Sequence, residues 1–106
     1  MVHHICLVRF LEPVSNEVLE NLMVETRIRL LKIPEVLNLR VGKRIDSLRN
    51  PYGFFYSFDT DDMQKLSVIR ESAIYVQFER QVLETHRHEA LELDFEMEPG
   101  KDVRYS

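Results

Sequence analysis

The stretch "NPYGFFYSF", residues 50–58, decides the fold. Phe54, Phe55, Tyr56 and Phe58 place four aromatics within five residues, with Tyr52 just before, in a chain that is 9% aromatic. Successive side chains on a strand point to opposite faces. Phe54, Tyr56 and Phe58 therefore share one face, and Phe55 and Ser57 share the other. A strand over residues 52–59 that is apolar on both faces belongs in the middle of a sheet covered on both sides.

A second strand of this kind opens the chain. Residues 2–11, "VHHICLVRFL", put His4, Cys6, Val8 and Phe10 on one face and Ile5, Leu7 and Arg9 on the other. Pro13 ends it. The segment 15–32 has helical periodicity, with Leu19, Leu22, Met23, Thr26 and Leu30 as one stripe. Ser15 is its expected N-cap, and Val14 with Leu19 has hydrophobic-staple spacing. Residues 36–45 alternate, with Leu37, Leu39 and Val41 on one face and Asn38 and Arg40 on the other, as on an edge strand. Gly42 marks a bulge or bend there. Asp61 and Gln64 have capping-box spacing for a helix over 62–70, and Ser72 caps a further helix over 73–85 with Ile74, Phe78 and Val82 as its stripe. The final strand, 89–97, is expected to turn Leu91, Leu93, Phe95 and Met97 to the core and Glu92, Asp94 and Glu96 away from it.

The order β-α-β-β-α-β predicts an α+β, ferredoxin-like domain over residues 1–98: a four-stranded antiparallel sheet with helices on one face. Residues 99–106 read as a polar tail with a Pro-Gly turn. The first and third strands are central in this topology, which fits their two apolar faces. The uncovered sheet face would carry Ile5, Leu7 and Phe55, an apolar patch of the kind that marks association. A two-fold homodimer, sheet against sheet, is the simplest cover.

βαββαβ is also the order of RNA-recognition modules, whose third strand carries aromatics that stack on bases. Against the octapeptide K/R-G-F/Y-G/A-F-V-x-F/Y of those modules, Tyr52, Gly53 and Phe54 match, but the basic first position is Asn50, the glycine is Pro51 and the last aromatic is Ser57. Cys6 stands where the first strand would need an aromatic. The net charge of −4 further opposes a nucleic-acid partner, since such binding rests on cations that neutralise phosphate. No apolar run has the length of a membrane span, and no secretory leader is legible. The single cysteine, Cys6, fits a reducing compartment and reads as a small buried hydrophobe. A cytoplasmic location is the expectation.

The pieces "HHICLVRF", "KIPEVLNLRVGK", "YGFFYSF", "SAIYVQFERQVL" and "LELDFEM", in this order and spacing, resemble the Dabb family of stress-responsive dimeric α/β barrels over about residues 3–97. The resemblance implies a ferredoxin-like subunit and a dimer whose two sheets close a barrel. It also implies a site between sheet and helices. The family's polyketide cyclases work there without a cofactor, by acid–base chemistry. Their pattern has a His early in strand one, a His in strand three, a Tyr before the last helix and a His within it. His4 matches the first of these. Phe54 stands at the strand-three position, Ile69 at the Tyr position and Tyr75 at the last His. Phe54 cannot titrate, and a phenol is a weak base near neutral pH.

The resulting expectation is a protein that binds a small, mostly apolar molecule between sheet and helices, without the cyclase histidines. The pocket would be bounded by His4, Phe54, Tyr56, Tyr75 and Phe78. An alternative is a cofactor-free cyclase, lyase or monooxygenase-like enzyme using His4 and Tyr75. A further alternative is a non-catalytic stress or interaction module with a filled core. No cofactor and no metal are expected. His3 and His4 are adjacent and so point to opposite faces of a strand. His86 and His88 share a face, with no third ligand evident.

Overall fold

The structure is a computed structural model that describes residues 1–45, 48–98 and Gly100. Most of the expected 99–106 tail, and Asp46 and Ser47 of the loop after the second strand, lie outside the described residues. The elements run β1 (Val2–Phe10), α1 (Asn16–Leu30), β2 (Leu37–Lys43), β3 (Phe54–Thr60), α2 (Met63–Glu71), α3 (Ala73–Phe78), a π turn (Glu79–Leu83) and β4 (His88–Glu96). The four strands form one antiparallel sheet in the order β2-β3-β1-β4. The two strands that are apolar on both faces, β1 and β3, take the central places, as their composition requires.

β1 and β3 pair in a register that sets His4 opposite Phe58, Cys6 opposite Tyr56 and Val8 opposite Phe54. These six side chains point to the helices and are buried. Leu22, Thr26 and Leu30 of α1, Leu66 and Ile69 of α2, and Tyr75 and Phe78 of α3 close over them. Ser15 caps α1, its hydroxyl accepting from the Val18 amide at 3.2 Å. Ser72 likewise caps α3, accepting from the Tyr75 amide at 3.2 Å. The cap of α2 is Asp62 rather than Asp61: its carboxylate accepts from the Lys65 amide at 2.8 Å. Two adjacent acids make the choice ambiguous in sequence, and Asp61 falls one residue outside the turn.

Three further features depart from expectation. The bulge of β2 lies between Leu37 and Arg40, not at Gly42. Leu37 pairs with Asp59 and Arg40 with Ser57, so β2 carries one extra residue. Asn38 takes the left-handed conformation there, at φ 51°, and its amide donates to Asp59 Oδ2 at 2.9 Å. The extra residue reverses the alternation, so Leu37 and Val41 lie on opposite faces. Gly42 has a different task, because a Cβ there would stand 2.5 Å from Cε1 of Phe55.

The last helix does not continue unbroken to residue 85. After Phe78 it widens into the π turn, closed by the Glu84 amide donating to the Glu79 carbonyl at 2.9 Å. Val82 and Leu83 are both buried.

β4 alternates as expected but with the opposite phase. Its register places Asp94 opposite His4, Glu92 opposite Cys6 and Leu93 opposite Ile5. Glu92, Asp94 and Glu96 thus lie on the helix side, and Leu91, Leu93 and Phe95 on the open side. On an edge strand beyond the reach of the helices, the helix-side row is wet enough to hold acids. The open face therefore carries Leu91, Leu93 and Phe95 beside Ile5, Leu7 and Phe55. No helix among the described residues is long and apolar enough to cross a membrane.

Candidate active site

His4 is the organising group. It lies in the middle of β1, fully buried, with its ring 5.1 Å from that of Phe58. Its Nδ1 stands 2.6 Å from Oδ1 of Asp94 on the neighbouring strand. A carboxylate only accepts, so Nδ1 carries the proton and donates it. Asp94 thereby fixes the ring's orientation and leaves Nε2 as its free position. Nε2 is buried without a hydrogen-bond partner among the described residues, as is Nε of Arg70. Oε1 of Glu92 stands near both residues, 3.6 Å from His4 Nε2 and 3.4 Å from Nη2 of Arg70 on α2.

A second polar group lies deeper. The hydroxyls of Tyr56 and Tyr75 meet at 2.5 Å, with the Cys6 thiol on the residue opposite Tyr56 in the sheet. Burial pushes both phenols above their ordinary value. Burial likewise pushes the thiol up to about 12. These three groups stay protonated near neutral pH and can donate but not act as bases. Glu79, the first residue of the π turn, is also raised, first by burial and then by the nearby Glu92 carboxylate.

The five residues expected to bound a pocket are brought together. His4, Phe54, Tyr56, Tyr75 and Phe78 are each at most 1% exposed. Tyr56 packs edge-on to Phe78 at 5.5 Å and lies 6.4 Å from Phe54, while Tyr75 lies 6.0 Å from Phe78. Tyr56 sits between His4 and Tyr75, its ring 6.5 Å from that of His4. Asp94 lines a surface cleft of about 450 Å³ with Val2, Asp61, Asp62, Phe95 and Glu96. A larger cleft of about 620 Å³ runs between α1 and the π turn, past Leu22, Arg29, Gln81 and Val82, away from His4.

Arg70 and Glu79 are not among the sequence candidates. Glu92 and Asp94, with Glu96 and Arg40, read in sequence as edge residues that could line a polar mouth, and the phase of β4 places Glu92 and Asp94 beside His4 instead. The signal for them is an alternating row of acids on a strand that pairs with the strand bearing a core histidine. His86 and His88 do not converge as ligands: His86 stacks edge-on with Phe10 at 6.1 Å, and His88 Nδ1 bonds to the His86 carbonyl at 2.8 Å. Among the described residues no three His, Cys, Asp or Glu side chains are grouped to hold a metal.

No family model matches the chain, and no curated protein matches it. Solved structures do. A Dabb family protein with a ferredoxin-like fold from Mesorhizobium loti is similar at 18% identity and a TM-score of 0.77, over 91% of this chain and 95% of that one. A dimeric ferredoxin-like protein of unknown function from Thermobifida fusca is similar at 17% identity and a TM-score of 0.78, over 91% and 90%. A hydroxynitrile lyase from Passiflora edulis is similar at 11% identity and a TM-score of 0.74, over 95% and 96%. The chain thus has the ferredoxin-like fold that it shares with the Dabb family protein from Mesorhizobium loti.

Proposed function

We propose that this chain is a cofactor-free acid–base protein that acts on a small, mostly apolar molecule at His4, as a homodimer closed through its open sheet face. The observation that carries the reading is the His4–Asp94 pair: one ring nitrogen held at 2.6 Å, the other buried and unpartnered. Most buried polar side-chain atoms have a hydrogen-bond partner, so a free nitrogen on a fully buried ring supports a functional role. With Nδ1–H donated to Asp94, Nε2 takes a proton from an acidic C–H or O–H of the ligand. Asp94 balances the imidazolium that forms. The same nitrogen returns the proton to the product, so the step consumes no oxidant and no cofactor. Tyr75 and Tyr56, held protonated, supply hydrogen-bond donors at the inner wall. A lyase of the same fold, the Passiflora enzyme, is compatible with chemistry of this kind.

The dimer rests on the apolar face of Ile5, Leu7, Phe55, Leu91, Leu93 and Phe95, and on neighbours described as dimeric. A second reading, a non-catalytic module, is favoured by the mutual packing of Tyr56, Tyr75 and Phe78.

Exchange of acidic carbon-bound hydrogens in D2O, across a panel of small ketones and β-keto esters, separates the two. The wild type should accelerate exchange of at least one compound, and His4→Gln should lose about a hundredfold or more of that acceleration. Asp94→Asn should lose less, since the nitrogen remains but its orientation does not. Acceleration that survives His4→Gln, or none with any compound, leaves the packed module as the reading.

A further inference from the structure

His4 and Arg70 each bury a nitrogen without a partner, and both residues lie near one carboxylate. His4 Nε2 and Arg70 Nε are both without a hydrogen-bond partner among the described residues. His4 as a whole is 0% exposed, so its free nitrogen has no recourse to water. Glu92 Oε1 stands 3.6 Å from His4 Nε2 and 3.4 Å from Arg70 Nη2. Both are ion-pair distances, beyond the 2.7–2.9 Å of a charge-assisted hydrogen bond. The Glu92 carboxylate is thus near the place an anionic oxygen should occupy, but too far out to satisfy it. Its side chain is 37% exposed on an edge strand, free to turn into solvent.

We propose that Glu92 is a place-holder and that the ligand is a small carboxylic acid, whose carboxylate replaces that of Glu92 between Arg70 and His4. This assignment rests on the His4 site described above and names the class of ligand that the site takes. Nε2 of His4 carries no proton in the free protein, so it takes one up as the ligand carboxylate enters and Glu92 turns out to water; the ligand then accepts from Nε2–H and from Arg70. Arg70 gains a shorter bond through Nε, and its planar guanidinium fits a carboxylate with two parallel N–H donors. The other charged groups about the position are Asp94, already engaged by His4, and Glu79 on the π turn, whose carboxyl lies close enough to feel Glu92. A ligand carboxylate that arrived with Glu92 still in place would face three acids. Displacement of Glu92 is therefore a requirement of binding.

The test is titration calorimetry with benzoate, phenylacetate and octanoate, each paired with its uncharged primary amide. Wild type, Glu92→Gln, Arg70→Gln and Arg70→Lys are compared, with thermal melts confirming that each is folded. At least one carboxylate should bind the wild type better than its amide does. Glu92→Gln should bind it about tenfold tighter, since the competing carboxylate is gone, and Arg70→Gln about tenfold or more weaker. Arg70→Lys should restore part of the loss. Equal affinity for acid and amide, no binding by wild type or Glu92→Gln, or a carboxylate affinity indifferent to Arg70 and Glu92 each overturns the assignment. The two readings fail separately. Arg70-dependent binding of carboxylates without any proton exchange keeps this inference and removes the catalysis. His4-dependent exchange on neutral ketones with no preference for acids does the reverse.

Discussion

At the scale of single residues, the chain buries polar groups in two ways. Tyr56 and Tyr75 satisfy one another beside Cys6, whereas His4 and Arg70 each keep a nitrogen unsatisfied. The first group stabilises and should behave accordingly. Tyr75→Phe removes one buried hydrogen bond and should cost about 1 kcal/mol in urea unfolding. The same group gives stability an alkaline limit. The Cys6 thiol moves from an ordinary value of 9.0 to about 12 on folding. Below pH 9 it is protonated in both states and its contribution is present in full. Between those values only the unfolded chain releases the proton, so stability falls as pH rises toward 12. Tyr56 and Tyr75, raised by burial, act in the same direction above their ordinary values. Urea melts from pH 7 to pH 11 should be flat at first and then decline, with a shallower decline in Cys6→Ala. A native protein whose thiol reacts rapidly with iodoacetamide at pH 8 would contradict the burial of Cys6.

Among the elements, the π turn has the most specific energetic signature. Val82 and Leu83 within it are both buried. Alanine at either position should therefore be costly, about 2 to 4 kcal/mol for Leu83 and about 1 to 3 for Val82 in urea unfolding. No loss of stability at either position would contradict their burial. The turn was not legible in the sequence, because it differs from an α-helix only by one extra residue per turn, and the apolar spacing of Ile74, Phe78 and Val82 reads the same up to its start. The order of elements was legible, since each strand and helix has its own periodicity and Ser15 and Ser72 mark helix starts. So was the burial of His4, which shares a face with Cys6 and Val8. The identity of its partner was not. Asp94 reaches His4 through strand pairing between residues ninety apart, and alternation fixes the period of a strand but not which row faces the helices.

The molecule as a whole presents one covered and one uncovered sheet face. The uncovered face makes a prediction independent of the site: Leu93→Glu should shift a dimer to monomer in light scattering while circular dichroism is unchanged. Gly42→Ala should act on the same face, since the new methyl group must displace the Phe55 ring. Its main effect should be on association, with the fold retained. β4 ties the two faces together. One row of its side chains meets His4 and the other completes the apolar face, so both uses depend on whether each residue falls on an odd or an even place in the strand. β4 therefore has a length constraint of an arithmetical kind. The connection before it takes up an insertion without changing which residues pair, but an insertion inside the strand does not. One residue added ahead of Glu92 within β4 exchanges the rows beyond it, and in a single event deprives His4 of its carboxylate and places acids on the apolar face. Among relatives of this chain, gaps within this strand should come in even numbers.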